Sequence, residues 1–550
     1  MKRFAIAALM VGLVEAGCAG QESTGALPEG RFPGMGAHHR AIGTKSTEAQ
    51  AWFDQGLNFL YAFNHDEAIR SFEKAADIDP TCAMAAWGVS LANGPHINNP
   101  MVDEAHAKAA WKWLARAREL SGGASAVEKA LIDALGKRYA DPQPEDRSGL
   151  DKAYAAAMRE VRKSHPKDAD GGALFAEALM DTRPWDLWTV DGKPQPETPE
   201  IVAVLEETIR LDPKHPLALH LYIHAVEASP DPGRADAAAD TLRTLTPGLG
   251  HLVHMPSHID VRRGRWEAAV TANKIAMASD AAYINRAKPP GFYRLYMAHN
   301  HHMLAFASMM RGESRQATES LKSMIAGMPE EFLAAFAPLV DGFLASPFEV
   351  HLRFGRWEEM LKEPEPKELF PLSRALWRFA RAVSYAALGK TAEARDEQKK
   401  FGEARGKVAK EATFGNNAAA DLMAVAEKMM DGEILYREGK ETEAFAMLRD
   451  AVVREDALRY DEPPDWIQPV RHTLGAALLR SGKPAEAEEV YKEDLKHWPN
   501  NGWSLFGLSR SLGAQGRKPE AAEVEAQFKE VWKNADLPIT SSCLCLPESK

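Results

Sequence analysis

The chain has 550 residues, 45% hydrophobic and 26% charged, with 78 acidic against 67 basic side chains and a formal net charge of −11. This composition excludes a globally disordered chain, and the acidic balance argues against nucleic acid as a partner, since a duplex binder carries a basic footprint. Ala is abundant, β-branched runs are scarce and apolar residues recur at helical spacing, so the expected class is all-α.

The N-terminus reads as an export signal. Lys2 and Arg3 precede an apolar run from Phe4 to Val14, shorter than the roughly 17–25 residues that cross a bilayer. Glu15-Ala16-Gly17-Cys18 resembles a bacterial lipobox, which would make 1–17 a signal peptide and Cys18 the lipidated first residue of the mature chain. Glu15 departs from the aliphatic residue that motif prefers, and cleavage after Ala16 is the alternative. The expected location is the periplasm or cell envelope, with membrane contact only through that N-terminal lipid. Residues 18–45, rich in Gly, Pro, Ser and Thr, are expected to form a flexible tether that leaves His38 and His39 in solvent.

The stretch AWFDQGLNFLYAFNHDEAIRSFEKAADIDP predicts a helical hairpin. Trp52, Gly56 and Phe59 share one face of its first helix, Ala68, Phe72 and Ala75 line its second, and Pro80 closes the unit. Small residues let the two helices approach, and the aromatics fill the gap to the next hairpin. The pattern resembles the tetratricopeptide repeat. A further signature, a Gly followed five residues later by Ala, recurs at Gly264, Gly312, Gly389, Gly439, Gly482 and Gly516, with looser forms at Gly233 and Gly355. Each Gly should end a first helix in the left-handed conformation. The resemblance implies a right-handed helical solenoid with long inserted loops, among them 141–149 and 181–200, in which each repeat touches only its neighbours. Residues 46–330 would form an N-terminal solenoid and 331–535 the C-terminal repeats, of which about 370–535 would be an arm docking a protein or peptide partner. Residues 536–550, with Cys543 and Cys545, are expected to be a disordered tail.

The histidines share a register. Eighteen residues before Ala238, Ala269 and Ala317 stand His220, His251 and His299; fifteen before the last two stand His254 and His302; eleven before Ala269 stands His258. His224 follows His220 by four and Glu227 follows His224 by three. Spacings of three and four put side chains on one helix face, about 5–6 Å apart at Cβ. Stacked first helices about 8–10 Å apart would bring the rows together on the concave surface. Neutral imidazole is the commonest protein ligand for first-row transition metals. His220, His224, Glu227, His251, His254, His258, His299 and His302 are therefore the expected metal set, with copper or zinc as the metal and Met255, Met297 and Met303 as groups that would soften it toward copper. Glu227, Asp260 and Asp280 are candidate partners for the outer ring nitrogens. His301 points elsewhere on its helix.

Three functional classes stay open on these residues: a metal-binding repeat protein, a copper or zinc enzyme using the same cluster with Glu227 as base, and a metal-free scaffold gripping a peptide in a polar groove. Among motifs, H-E-x-x-H, the GxxxxGK[ST] phosphate loop, GxSxG and CxxC are all absent from the sequence. The strings RPWDLW, HPLALHLYIHAVEASP, GHLVHMPSHIDVRRGRWEAAV and YMAHNHHMLAFASMMRG resemble a group of bacterial tetratricopeptide proteins, many with export signals. That resemblance reinforces the His motifs, implies no reaction, and brings His65, Trp87, His96 and Asn98 into view.

Overall fold

Glycine supplies the turns. In the computed structural model, which describes residues 29–287 and 291–545, Gly264, Gly312, Gly355, Gly389, Gly439, Gly482 and Gly516 all have positive φ, where an L side chain would be strained. The looser form at Gly233 does not follow them: it lies in a 3-10 turn, Pro232–Ala235, and has no positive φ. The segment proposed as signal peptide, Cys18 and the final residues 546–550 lie outside the described residues.

The first hairpin pairs Thr47–Tyr61 with His65–Ile78, each capped by a side chain, Ser46 accepting from the Ala49 N–H and Asn64 from the Glu67 N–H. A Cβ at Gly56, or at Gly88 in the next helix, would stand 2.6 Å from the Phe72 ring. Those two glycines are what admit the ring between three helices. Hairpins of the same kind run to the end: Pro371–Ala387 with Thr391–Arg405, Ala419–Arg437 with Glu441–Asp456, Val470–Arg480 with Pro484–His497, and Gly502–Ala514 with Lys518–Val531. The signature alanines Ala269, Ala317, Ala394, Ala444 and Ala487 are fully buried, and Ala521 is half-buried. Among the described residues the only strands are the two-residue pair Thr413–Phe414 and Asn417–Ala418, antiparallel. No helix among them is long and apolar enough to cross a membrane.

Three expectations fail. Repeats do not touch their neighbours alone, because the C-terminal hairpins return to the middle of the chain: the Trp266 indole donates to the Pro499 carbonyl at 2.9 Å and the Trp503 indole to the Met309 carbonyl at 2.7 Å. Buried indoles need an acceptor, and here the acceptors lie about two hundred residues away. The tether is not free over its described part: Phe32 is buried, and the Arg40 guanidinium reaches Asp168 and Asp170. His38 sits on Asp170, whereas His39 stays exposed beside Asp54. The tail is ordered through Cys545. The backbone of Ser314 and Arg315 donates to Asp536, Arg353 donates to the Ser542 carbonyl, and Cys543 and Cys545 are buried and joined as a disulfide. Cys82 is a buried free thiol.

Candidate metal centre

The imidazoles come from the leading helical segments of three consecutive hairpins. Helix Pro216–Glu227 is capped by the His215 side chain and started by Pro216, and it is buried along its whole length. Its spacing of four and three places His220, His224 and Glu227 on one face. The spacing of His251, His254 and His258 predicts one helix, but Pro256 divides it into Gly250–His254 and Pro256–Arg262. Proline removes one backbone donor, and the His258 N–H bonds the Met255 carbonyl instead. Met255 keeps helical angles across the break, so the three rings keep a common side. Helix Arg294–Met310 brings His299 and His302.

Six rings converge. The His254 and His258 Nε2 atoms are 2.7 Å apart, His258 and His299 Nε2 3.4 Å, and His251 and His220 Nε2 3.1 Å. Two nitrogens bound at 2.0–2.1 Å on one tetrahedral ion stand about 3.3 Å apart, which these separations bracket. The ligand atoms of His220, His224 and His251 lie within 4.8 Å of one another, and so do those of His254, His258 and His299. His302 does not join them: it is buried with its Nε2 3.2 Å from Ser346 Oγ and its ring edge-on to Phe343. His301 lies beside Ser320, as its register implied.

The outer nitrogens fix the tautomers. His220 Nδ1 donates to the Tyr61 carbonyl at 2.8 Å, His224 Nδ1 to Glu227 Oε1 at 2.8 Å, His258 Nδ1 to Glu227 Oε2 at 2.5 Å, and His254 Nδ1 to Asn273 Oδ1 at 2.6 Å. Each of those partners is an acceptor, since the Asn273 amide nitrogen is committed to the Ala269 carbonyl. Four ring protons are thereby placed on Nδ1, and four Nε2 lone pairs are left bare. His224 Nε2 is buried with no hydrogen-bond partner, as is His251 Nδ1.

Electrostatics favour the neutral form at five of these rings. Burial, reinforced by neighbouring histidines, pushes His220, His251, His254 and His299 well below the usual histidine range, and burial lowers His224 as well. Burial disfavours the Glu227 anion, but His258 and His224 outweigh it and hold the carboxyl at about 2. Glu227 therefore serves as an ionised acceptor gripping two rings, with both oxygens turned to Nδ1 protons. The other acidic candidates do not serve the rings. Asp260 takes Arg243 at 2.6 Å and Arg265 at 2.8 Å, while Asp280 takes Asn300 at 2.7 Å and Tyr293 at 3.3 Å. Burial pushes the Asp280 carboxyl up to about 7.

Backbone strain gathers at the same place. Of the three non-glycine residues with positive φ among those described, Phe63 and Trp185, each at +56°, touch the cluster. The conformation costs roughly 1–2 kcal/mol per residue. The Phe63 ring centroid is 4.5 Å from that of His220 and 4.4 Å from that of His96, which in turn is 4.4 Å from His65. Trp185, in the inserted loop, meets His224 edge-on at 5.2 Å and is held by Asn98 at 3.1 Å. Trp87 is buried in the helix Ala83–Ala92 and takes no part in the cluster contacts described.

A cavity of about 760 Å³ opens beside the cluster, with His224 and Glu227 in its wall together with Trp185, Trp188, Arg262 and Tyr460. Its far side is the loop before Val470, where Asp461 is pushed up to about 6 by burial and by charges that include Glu227. Glu462 is buried there beside the Tyr460 hydroxyl. Neither this loop nor Tyr61 is marked by any sequence pattern that ties it to the histidines, and Asn273 is marked only weakly. A polar Asn one turn after the signature Ala269 was the one local signal for the last of these.

The tetratricopeptide repeat family matches at residues 49–82 and again at 468–493, so hairpins near both ends are tetratricopeptide repeats. No curated protein sequence matches the chain. Among solved structures, a human IFIT1 dimer with m7Gppp-AAAA is similar at 13% identity and a TM-score of 0.34, covering 89% of this chain and 91% of that one. The Cut9–Hcn1 hetero-tetramer of the APC/C is similar at 10% identity and 0.33, covering 88% and 76%. Yeast Tom70 is similar at 11% identity and 0.28, covering 88% and 93%.

Proposed function

We propose that this tetratricopeptide-repeat protein binds a transition metal, copper or zinc, through the imidazoles clustered between its N-terminal hairpins, while its repeats serve as a scaffold for a protein or peptide partner. One observation carries the metal reading: the His254 and His258 Nε2 atoms face each other at 2.7 Å with both Nδ1 protons already given to Asn273 and Glu227. Two bare lone pairs at that distance repel, and a cation between them removes the repulsion. A single shared proton would serve that pair, but it leaves His224 Nε2 buried and bare. A metal held there would act as a Lewis acid or a redox centre.

Metal analysis of untagged full chain after loading with Zn²⁺ or Cu²⁺ and desalting tests this reading. Retained metal that falls in His254→Gln supports it; a folded chain that takes up neither ion contradicts it. The cavity reaching His224 and Glu227 favours a second reading, in which the same metal is catalytic and a small molecule enters from that side. With both oxygens holding ring protons, Glu227 then orients ligands rather than acting as base. Export to the cell envelope with Cys18 lipidated belongs to the same proposal; incorporation of labelled palmitate that is lost in Cys18→Ser would support it, and a chain left unlabelled in both would remove it.

A further inference from the structure

We infer that the cluster is a two-ion centre, with one ion on His220, His224 and His251 and a second on His254, His258 and His299. This rests on the metal reading above and goes beyond it in number and in assignment. The six rings are not spread evenly. They fall into two sets of three, each with its ligand atoms within 4.8 Å of one another. One tetrahedral ion takes four ligands, so six converging imidazoles exceed the shell of a single zinc or copper. The link between the sets runs through a carboxylate: Glu227 accepts the His224 proton on one oxygen and the His258 proton on the other. It grips one ring of each set, from outside both.

Each set has its own unmet need. In the second set His254 and His258 oppose bare nitrogens at 2.7 Å, with the His299 Nε2 3.4 Å from that of His258. In the first set His220 Nε2 is bare because its Nδ1 proton goes to the Tyr61 carbonyl. His251 can satisfy it by donating from Nε2, at 3.1 Å. That arrangement still leaves the His224 Nε2 buried with no partner, and a buried polar atom without a partner is destabilising. An ion in the second set does not relieve it. Three nitrogens per ion also leave each a further position for a small molecule, and the first set is the one on the cavity, through His224.

The test is stoichiometry on the full untagged chain, using Zn²⁺ alone and Cu²⁺ alone as probes. Wild type is expected to retain about two ions per chain, and His220→Gln and His299→Gln about one each, since each leaves one set of three complete. A wild type that saturates at one ion, lost from both variants, would overturn the two-ion inference and leave the metal proposal standing. A wild type that binds none would remove both. The wild-type count decides the matter without any variant, and melting curves identify a variant that has failed to fold.

Discussion

Asp170 and Glu227 are both buried carboxylates that receive two histidines, and they leave those rings in opposite states. At Asp170 the inner nitrogens do the bonding: His38 Nε2 at 3.0 Å, His215 Nε2 at 3.1 Å and the Tyr61 hydroxyl at 2.6 Å on one oxygen, and Arg40 at 2.8 Å on the other. His215 Nδ1 accepts the Ala218 N–H, so both of its nitrogens are used. At Glu227 the outer nitrogens are used and the inner ones face other imidazoles. Both groups have ligand atoms within 4.8 Å, so proximity alone does not separate them. What separates them is sign: donors meet an acceptor at Asp170, and lone pairs meet lone pairs at the larger cluster. The first is a latch that ties the N-terminal segment to the body, and the second calls for a cation.

The largest effect expected from this contrast is on stability. Asp170→Ala strands the His215 Nε2 and the Tyr61 hydroxyl and leaves the Arg40 guanidinium with Asp168 alone, and should cost about 3–5 kcal/mol in urea unfolding with no change in metal content. Glu227→Gln should do the reverse, weakening metal affinity about 10–100-fold in competition with a chelator while the fold persists. If Asp170→Asn weakens metal binding as much as Glu227→Gln does, the contrast is broken. A pH series sharpens it. Burial opposes the Asp170 anion, but His215, His38 and Arg40 outweigh it and hold its pKa well below the usual carboxylate value. A depressed carboxyl adds stability above its unfolded pKa of about 3.9 and loses it as pH falls through the folded value. The stability difference between wild type and Asp170→Asn should therefore be full at pH 5–7 and shrink only below about pH 4. The smallest effect is assigned to His302→Gln, which should cost about 1 kcal/mol through its bond to Ser346 and remove no metal.

The hairpins and their glycine turns were legible in the sequence because each is set by residues a few positions apart. So was most of the cluster, since a common offset from Ala238, Ala269 and Ala317 puts rings at a common height. His302 shares the offset of His254 and still departs, because at the end of the row its neighbours are Phe343 and Ser346 rather than another imidazole. Register fixes the height of a side chain, and the element packed against it decides what it meets. The closing contacts were not legible for the same reason. Tyr61 lies 159 positions from His220, and Trp266 lies 233 from Pro499, distances at which no local pattern reports a partner. The tether and tail looked free from their Gly, Pro and Ser content, but single buried anchors, Phe32 and Arg40 at one end and Cys543 at the other, hold them down.

Anomalous diffraction at the zinc and copper absorption edges, from crystals of the loaded protein, tests the central claim most directly. The account predicts a peak about 2.0–2.1 Å from the Nε2 atoms of His254, His258 and His299, with Glu227 and Asn273 still on the outer nitrogens. Ordered rings in the same positions with no peak at either edge, and a hydrogen bond closing the gap between His254 and His258, would contradict it.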